Sequence, residues 1–76
     1  MAAIALKLYA TLGKYAPPDA DRHPVTPGTT IGQLLRELEI PDGSVKLVFV
    51  DGRRADLDTP LQGGERVGLF PPVGGG

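Results

Sequence analysis

The chain begins with an alternation of apolar and polar positions that is typical of a β-strand with one buried face. One side carries Ile4, Leu6, Leu8 and Ala10, and the other side carries Ala5, Lys7 and Tyr9. Because successive side chains of a strand point to opposite faces, this spacing predicts a first strand over residues 4–10. A loop is predicted over residues 11–21, followed by a short strand over residues 22–26. Because Pro24 has no N–H to donate to a neighbouring strand, this strand is expected at the edge of the sheet.

A change to helical spacing follows at Thr30. The apolar residues Ile31, Leu34, Leu35 and Leu38 recur at i, i+3, i+4 and i+7, which predicts an amphipathic helix to about Glu39. Thr30 and Gln33 have the spacing of a capping box, in which each side chain accepts a hydrogen bond from the other residue's backbone N–H.

The second half of the chain predicts further strands. A β-branched and aromatic run over residues 45–50 precedes Asp51-Gly52, which favours a type I′ hairpin turn because both positions need positive φ. A return strand is predicted over residues 53–55 and a closing strand over 66–70, joined by a loop whose Leu57 and Leu61 reach the core. One helix cannot cover both faces of a sheet, so these elements predict an α+β fold with one face partly open.

Composition narrows the classes of function. The 76 residues include eight Lys+Arg and nine Asp+Glu, which gives a formal net charge of −1. This charge does not indicate a basic surface for binding nucleic acid. Cysteine is absent, which excludes disulfides and thiolate chemistry and makes a reducing cytoplasm the expected compartment. No apolar run approaches the roughly 20 residues that a membrane-spanning helix needs. His23 is expected at the surface, and Asp56 and Asp58 are expected to cap a turn beside Thr59-Pro60, so neither a metal site nor a catalytic cluster is predicted.

Residues 71–76 are predicted to form an arm outside the core. Pro71-Pro72 favours extended polyproline II geometry, and six extended residues reach about 20 Å beyond the last strand. Gly74, Gly75 and Gly76 have no Cβ and fit a channel that is too narrow for a side chain. We therefore expect a domain over residues 1–70 and an extended, flexible tail over residues 71–76; a frayed terminus without function is the alternative.

The tail and the segments before it resemble the MoaD/ThiS family of ubiquitin-like sulfur carriers. The most specific part of the resemblance is the ending ERVGLFPPVGGG over residues 65–76. The resemblance covers nearly the whole chain and includes LYATL (8–12), the helix of residues 30–38, VFVDG (48–52) and GGERV (63–67). Pro71-Pro72 before the glycines is most similar to the small subunit of molybdopterin synthase, although Gly74 stands where alanine is more usual.

This resemblance implies a β-grasp (ubiquitin-like) fold with a mixed sheet, and a sulfur-carrying function. In the family, a ubiquitin-activating-type enzyme (MoeB/ThiF-like) uses ATP and Mg²⁺ to adenylate the terminal glycine, which then becomes a thiocarboxylate. By this resemblance Gly76 carries the sulfur, and Gly74 and Gly75 thread into the partner. The sulfur acceptor implied is the large subunit of molybdopterin synthase or an equivalent enzyme. The chain itself is expected to bind no cofactor and to catalyse nothing alone.

Six residues are candidates for contact with these partners. They are Phe70, Pro71, Pro72, Val73, Arg53 and Arg54. Because Phe70 alternates with Val67 and Leu69, we expect it on the open face at the root of the tail, where an aromatic can anchor a partner. Arg53 and Arg54 lie at the predicted hairpin, where a solvated turn is the alternative interpretation.

Three other functions remain open on the sequence alone. The same sulfur chemistry could serve thiamine, cysteine or tungsten-cofactor synthesis, because the partner enzyme recognises the sulfur acceptor. Gly76 could instead form isopeptide bonds to lysines, as in a ubiquitin-like protein modifier. A non-covalent β-grasp interaction module with an idle tail is the third.

Overall fold

The computed structural model of the chain describes residues 2–41 and 43–72. In chain order its strands are β1 (Ala2–Leu8), β2 (His23–Val25), β3 (Thr29–Thr30), β4 (Leu47–Val50), β5 (Arg53–Arg54), β6 (Pro60–Leu61) and β7 (Arg66–Phe70). The α-helix of the described residues, α1 (Ile31–Glu37), lies between β3 and β4, and two short 3₁₀ helices span Ala10–Tyr15 and Ala20–Arg22. No helix among these residues is long and apolar enough to cross a membrane.

Five of the strands form a mixed sheet in the order β2-β1-β7-β4-β5. β1 and β7 run parallel, with Leu6 opposite Val67 and Leu8 opposite Leu69. The other neighbours in this sheet are antiparallel, so β7 is paired on both sides, with β1 and with β4. Pro24 lies in the edge strand β2, as predicted. A mixed sheet with one helix against one face is the β-grasp arrangement that the resemblance implies.

The core lies between this sheet and α1. Its buried apolar residues are Ile4, Leu6, Leu12, Val25, Ile31, Leu34, Ile40, Val48, Leu61, Val67 and Leu69. The alternation in β1 and β7 is therefore confirmed, since their buried residues share the face that α1 covers. At about 25 cal/mol per Å² of buried apolar surface, this one-sided core is the main source of stability for a chain without disulfides.

The capping box at the start of α1 is confirmed. The Thr30 hydroxyl accepts from the Gln33 N–H at 3.2 Å, and the Gln33 side chain accepts from the Thr30 N–H at 2.9 Å. The helix ends at Glu37 rather than near Glu39. Glu39 has a φ of 60°, and the Ile40 N–H donates to the Leu35 carbonyl, so the chain turns away from the helix there.

The first predicted strand ends earlier than expected, and the loop after it is partly helical. β1 stops at Leu8, and Ala10, with a φ of 52°, turns the chain into the first 3₁₀ helix. This helix places Leu12 in the core with 1% of its surface exposed. The sequence pattern missed Leu12 because a single apolar residue in a short 3₁₀ helix has no repeat to reveal it.

The loop predicted over residues 56–65 contains a strand that pairs beside the helix. β6 is antiparallel to β3, with Leu61 opposite Thr29. Leu61 is fully buried as predicted, but the prediction that Leu57 reaches the core is wrong, because 54% of its surface is exposed. Instead the backbone carbonyl of Leu57 accepts from the Gly32 N–H at 2.8 Å, which satisfies a donor at the start of α1.

A tight turn before β7 holds the closing strand in register. The Glu65 carboxylate accepts from the N–H groups of Gln62 and Gly63 at 2.8 and 2.7 Å. The Gly64 N–H donates to the Ala3 carbonyl at 2.7 Å, which ties the turn to β1. Gly63 has a φ of 121°, and a Cβ at this position would lie 2.6 Å from the Ala2 Cβ. This turn therefore requires glycine at position 63 for both conformation and space.

We expect Gly63→Ala to destabilise the fold more than Gly64→Ala. Gly64 also has a positive φ, of 87°, but no atom lies within 4 Å of a Cβ placed there. Gly64→Ala should cost about 1–2 kcal/mol of backbone strain, and the clash with Ala2 should add about 1–3 kcal/mol in Gly63→Ala. Urea unfolding measures the free energy of unfolding of the two variants. If both lose the same amount, the structure accommodates the added methyl group beside Ala2 without an energetic cost.

Thr30→Ala should lower the free energy of unfolding by about 1 kcal/mol, because it removes the acceptor for the Gln33 N–H. Thr30→Ser keeps a hydroxyl in the same place and serves as the matched control. Thermal unfolding should show a midpoint about 4–8 °C lower for the alanine variant. If the unfolding midpoint of the serine variant falls by the same amount, the hydroxyl of Thr30 does not stabilise the helix.

Candidate functional site

Three aromatic side chains form a cluster on the sheet face opposite α1. Tyr9 and Phe70 are stacked, with ring centroids 4.2 Å apart and planes within 6° of parallel. Phe49 meets Phe70 edge-on, at 5.6 Å and an angle of 79°. We call these residues the aromatic cluster. Offset-stacked and edge-to-face pairs are favourable ring arrangements, so the three rings support one another in a fixed position.

The register of the sheet brings the cluster together. Phe49 in β4 and Lys7 in β1 both lie opposite Gly68 in β7. A Cβ on Gly68 would lie 3.5 Å from the Tyr9 ring and 3.6 Å from the Phe70 ring. The rings of Tyr9 and Phe70 therefore lie next to Gly68, over the backbone of β7.

A shallow groove of about 370 Å³ runs along this face. Its lining includes the aromatic cluster, Gly68 and the cationic residues Lys7 and Arg66. Tyr9 is 44% exposed, although it belongs to the cluster. The face therefore combines accessible aromatic surface with positive charge, and both are available to a partner.

The predicted hairpin arginines lie at the edge of the same sheet. Asp51 and Gly52 have φ values of 53° and 82°, which confirms the type I′ turn. Arg53 and Arg54 are both exposed in β5, and Arg54 lies opposite Phe49. The Asp51 carboxylate accepts from the Arg66 N–H at 3.0 Å, so the turn is also fixed to β7.

Phe70 lies at the root of the tail, on the open face, as the alternation predicts. It is partly buried, and its carbonyl accepts from the Lys46 N–H at 2.7 Å, which fixes the last residue of β7. Pro71 is partly buried and Pro72 is exposed. The predictions for Val73, Gly74, Gly75 and Gly76 concern positions outside the described residues. The tail thus leaves the domain directly beside the aromatic cluster.

Tyr9, Lys7 and Arg66 were not among the residues that the sequence predicted for binding. Tyr9 lies one residue past the end of β1, but its N–H donates to the Leu69 carbonyl at 3.1 Å, which continues the pairing with β7. The alternation in the first strand was the one sequence signal for them, because it put Lys7 and Tyr9 on the face that does not carry Leu6. Only the parallel register of β1 with β7 shows that Lys7 lies opposite Gly68 and that the Tyr9 ring reaches Phe70.

The other polar residues of segments 2–41 and 43–72 form no comparable site. In the part of the chain that the structure describes, no group of three or more His, Cys, Asp or Glu side chains could hold a metal ion. The turn at Asp56 is held by its neighbour Thr59, whose hydroxyl accepts from the Asp56 N–H at 3.1 Å. His23 lies partly exposed in the edge strand β2. The open face is therefore the candidate functional surface.

Solved structures of archaeal proteins share this fold. Small archaeal modifier protein 1 of Haloferax volcanii matches with a TM-score of 0.71 at 25% identity, over 96% of this chain and 100% of that chain. A Haloferax volcanii protein whose structure was solved in solution matches with a TM-score of 0.72 at 29% identity, over 99% of this chain and 87% of that chain. A Pyrococcus furiosus protein assigned as subunit 1 of the molybdopterin converting factor matches with a TM-score of 0.72 at 24% identity, over 96% of this chain and 100% of that chain. These likenesses confirm the predicted β-grasp fold.

Sequence comparison identifies the family. No curated protein matches this chain at a significant level. The model of the ThiS family matches residues 6–76, which include the end of β1, all of α1 and β7, and the glycines of the tail. The resemblance to the MoaD/ThiS carriers is confirmed by this match, and the chain belongs to the ThiS family.

Proposed function

We propose that this chain is a sulfur carrier in which the carboxylate of Gly76 is adenylated and then converted to a thiocarboxylate. The observation that carries the proposal is the match to the ThiS family, which extends through the terminal glycines to residue 76. The position of Phe70 adds support, since the tail starts beside an accessible aromatic surface. No acid or base from the domain is needed, because the partner enzyme supplies the catalysis.

The proposed chemistry has two steps. An oxygen of the Gly76 carboxylate attacks the α-phosphorus of ATP, and pyrophosphate leaves with its electron pair. A sulfur nucleophile from a sulfide source then attacks the acyl carbon, and AMP departs. An ionised carboxylate is a poor electrophile at neutral pH, so the first step is needed to provide a leaving group. ATP and Mg²⁺ belong to the MoeB/ThiF-like adenylating enzyme, and the carrier binds neither.

The residues of the chain have separate parts in this proposal. Gly74 and Gly75 thread the partner's channel, where a Cβ would collide with the walls. Pro71, Pro72 and Val73 form the stem that carries the glycines away from the domain. Phe70, Arg53 and Arg54 contact the partner's surface. Pro71-Pro72 restricts the backbone, which lowers the entropy lost when the tail becomes ordered in a partner.

We further propose that the sulfur serves molybdopterin synthesis in the cytoplasm, with the large subunit of molybdopterin synthase as acceptor. The support for this pathway is the Pro71-Pro72 stem, by which the tail resembles the small subunit of that enzyme. Thiamine, cysteine and tungsten-cofactor synthesis are the alternative pathways. Purified large subunits or acceptor enzymes of each pathway, supplied with the thiocarboxylated chain, distinguish them by which one consumes the sulfur.

A second candidate function is protein modification through Gly76. The observation that favours it is the likeness to small archaeal modifier protein 1, at 25% identity over nearly the full length of both chains. Both functions begin with the same acyl adenylate. They differ in the nucleophile that follows, which is sulfur for a carrier and a lysine amine for a modifier.

Intact mass spectrometry tests the proposed function. After incubation with a MoeB/ThiF-like enzyme, ATP, Mg²⁺ and a sulfide source, we expect a mass gain that matches exchange of one oxygen for sulfur at Gly76. Deleting Gly75 and Gly76, or adding one alanine after Gly76, should abolish the gain, because the reactive carboxylate no longer sits at the end of the threading segment. One alanine added before Met1 is the matched control and should leave the gain unchanged.

Three results would contradict parts of the proposal. An unchanged mass, with an enzyme proven active on its own carrier, would favour an interaction module with an idle tail. Full modification of the chain extended after Gly76, without trimming, would place the chemistry elsewhere. Isopeptide-linked products on lysines of other proteins, with no thiocarboxylate, would favour the modifier.

A further inference from the structure

The lysine side chains are the strongest nucleophiles that this chain offers to an activated Gly76. They are Lys7, Lys14 and Lys46, and all three are exposed. Cysteine is absent, so no thiol of the chain competes with them for an acyl group. Their positions relative to the root of the tail therefore decide which amine an acyl adenylate at Gly76 meets first.

Lys46 is joined to the root of the tail by a hydrogen bond. Its backbone N–H donates to the Phe70 carbonyl at 2.7 Å. The next residue, Leu47, lies opposite Phe70 in the sheet. Lys46 is therefore placed beside the point where the chain leaves β7 and enters the tail.

The other two lysines are placed less favourably. Lys7 lies opposite Gly68, two residues before the end of β7. The ammonium group of Lys14 lies 5.3 Å from the centre of the Tyr15 ring, a distance at which the ring attracts the cation. Among these three lysines, Lys46 is the one whose own backbone is bonded to the last residue of β7.

We propose that Lys46 is a self-acylation site, to which the activated carboxyl group of Gly76 is transferred within the same chain when sulfur is lacking. The proposal rests on the proposed function, because the acyl adenylate at Gly76 is its starting point. The neutral amine at Lys46 Nζ attacks the acyl carbon with its electron pair, and a C–N bond forms. The bond from that carbon to the AMP oxygen breaks, AMP leaves with the electron pair, and a proton of the amine passes to solvent.

The length of the tail allows this ring to close. Six residues follow Phe70 and span about 20 Å when extended, so a turn among the glycines can bring Gly76 back to the Lys46 amine. For short flexible linkers, the effective concentration of one end at the other is on the order of mM. At micromolar concentrations of the chain, attack by its own Lys46 is therefore favoured over attack by a second copy. The tail must first leave the channel of the enzyme, because a tail held there cannot turn back.

Self-acylation competes with sulfur transfer for the same acyl carbon. Its product is a ring closed by an isopeptide bond between Lys46 and Gly76, with no C-terminal carboxylate left to activate. A sufficient supply of sulfur diverts the adenylate to the thiocarboxylate before the ring closes. Self-acylation thus withdraws activated chains when sulfur is scarce.

Intact mass spectrometry of the full chain tests the proposal. The chain is incubated with the MoeB/ThiF-like enzyme, ATP and Mg²⁺ without a sulfide source, and we expect a product lighter than the free acid by one water. Lys46→Arg keeps the positive charge but removes the reactive amine, and it should lower the amount of this dehydrated product about tenfold. Lys14→Arg is the matched control and should change the amount less than about twofold. Tandem mass spectrometry should locate the new bond between Lys46 and Gly76.

Three further measurements separate self-acylation from folding and from activation. Thermal unfolding should give equal midpoints for both variants and the unaltered chain, since both substituted positions are exposed. ATP–pyrophosphate exchange should also be unchanged in Lys46→Arg, because Lys46 does not line the groove beside the aromatic cluster. Adding sulfide should replace the dehydrated product with the thiocarboxylate.

The outcomes distinguish this proposal from the proposed function. Equal amounts of dehydrated product from Lys46→Arg and the unaltered chain, or a bond from Gly76 to any other amine, would overturn self-acylation at Lys46. A product that joins two copies in place of the single-chain ring would overturn it as well. No dehydrated product, with normal pyrophosphate exchange, would overturn self-acylation and leave the carrier function standing. If the unaltered chain supports no exchange with an enzyme proven active on its own carrier, the proposed function fails, and self-acylation fails with it.

Discussion

The position of β7 between β1 and β4 is the constraint on which the rest of the structure depends. Its parallel pairing with β1 brings the last strand of the domain beside the first, and its antiparallel pairing with β4 completes the ladder on the other side. Val67 and Leu69 are buried on one face of β7, while Gly68 and Phe70 lie on the other. The same strand thus holds the core together and ends at the root of the tail.

Coverage of only one sheet face follows from having a single α-helix, of seven residues, in the described part of the chain. The opposite face keeps its aromatic rings partly accessible and orders them by stacking on one another. Gly68 lies beneath these rings, and a Cβ placed there would be in ordinary van der Waals contact with Tyr9 and Phe70. The aromatic surface therefore ends at Phe70, directly before Pro71 and Pro72, the described residues of the tail.

Much of the fold could be predicted from local patterns. The bounds of β7, the capping box at Thr30 and the Asp51-Gly52 turn each follow from a short motif with one dominant conformation. Leu12 and the pairing of β3 with β6 were missed, since both depend on tertiary contacts that bring separated residues together. Leu57 was predicted wrongly because its hydrophobicity suggested burial, whereas its backbone makes the contact with α1. The candidate site was predictable only in part, for a similar reason: alternation placed Phe70 on the open face, but its meeting with Tyr9 requires the register between β1 and β7.

Whether Gly76 carries sulfur in the cell can be measured on the protein itself. The chain would be isolated from the cells that make it, under conditions that preserve thiocarboxylates, and the mass of its C-terminal peptide determined. We expect a fraction of this peptide to end in a thiocarboxylate at Gly76. A peptide found only as the free carboxylate, only as an isopeptide, or with further residues after Gly76 would contradict the proposed function.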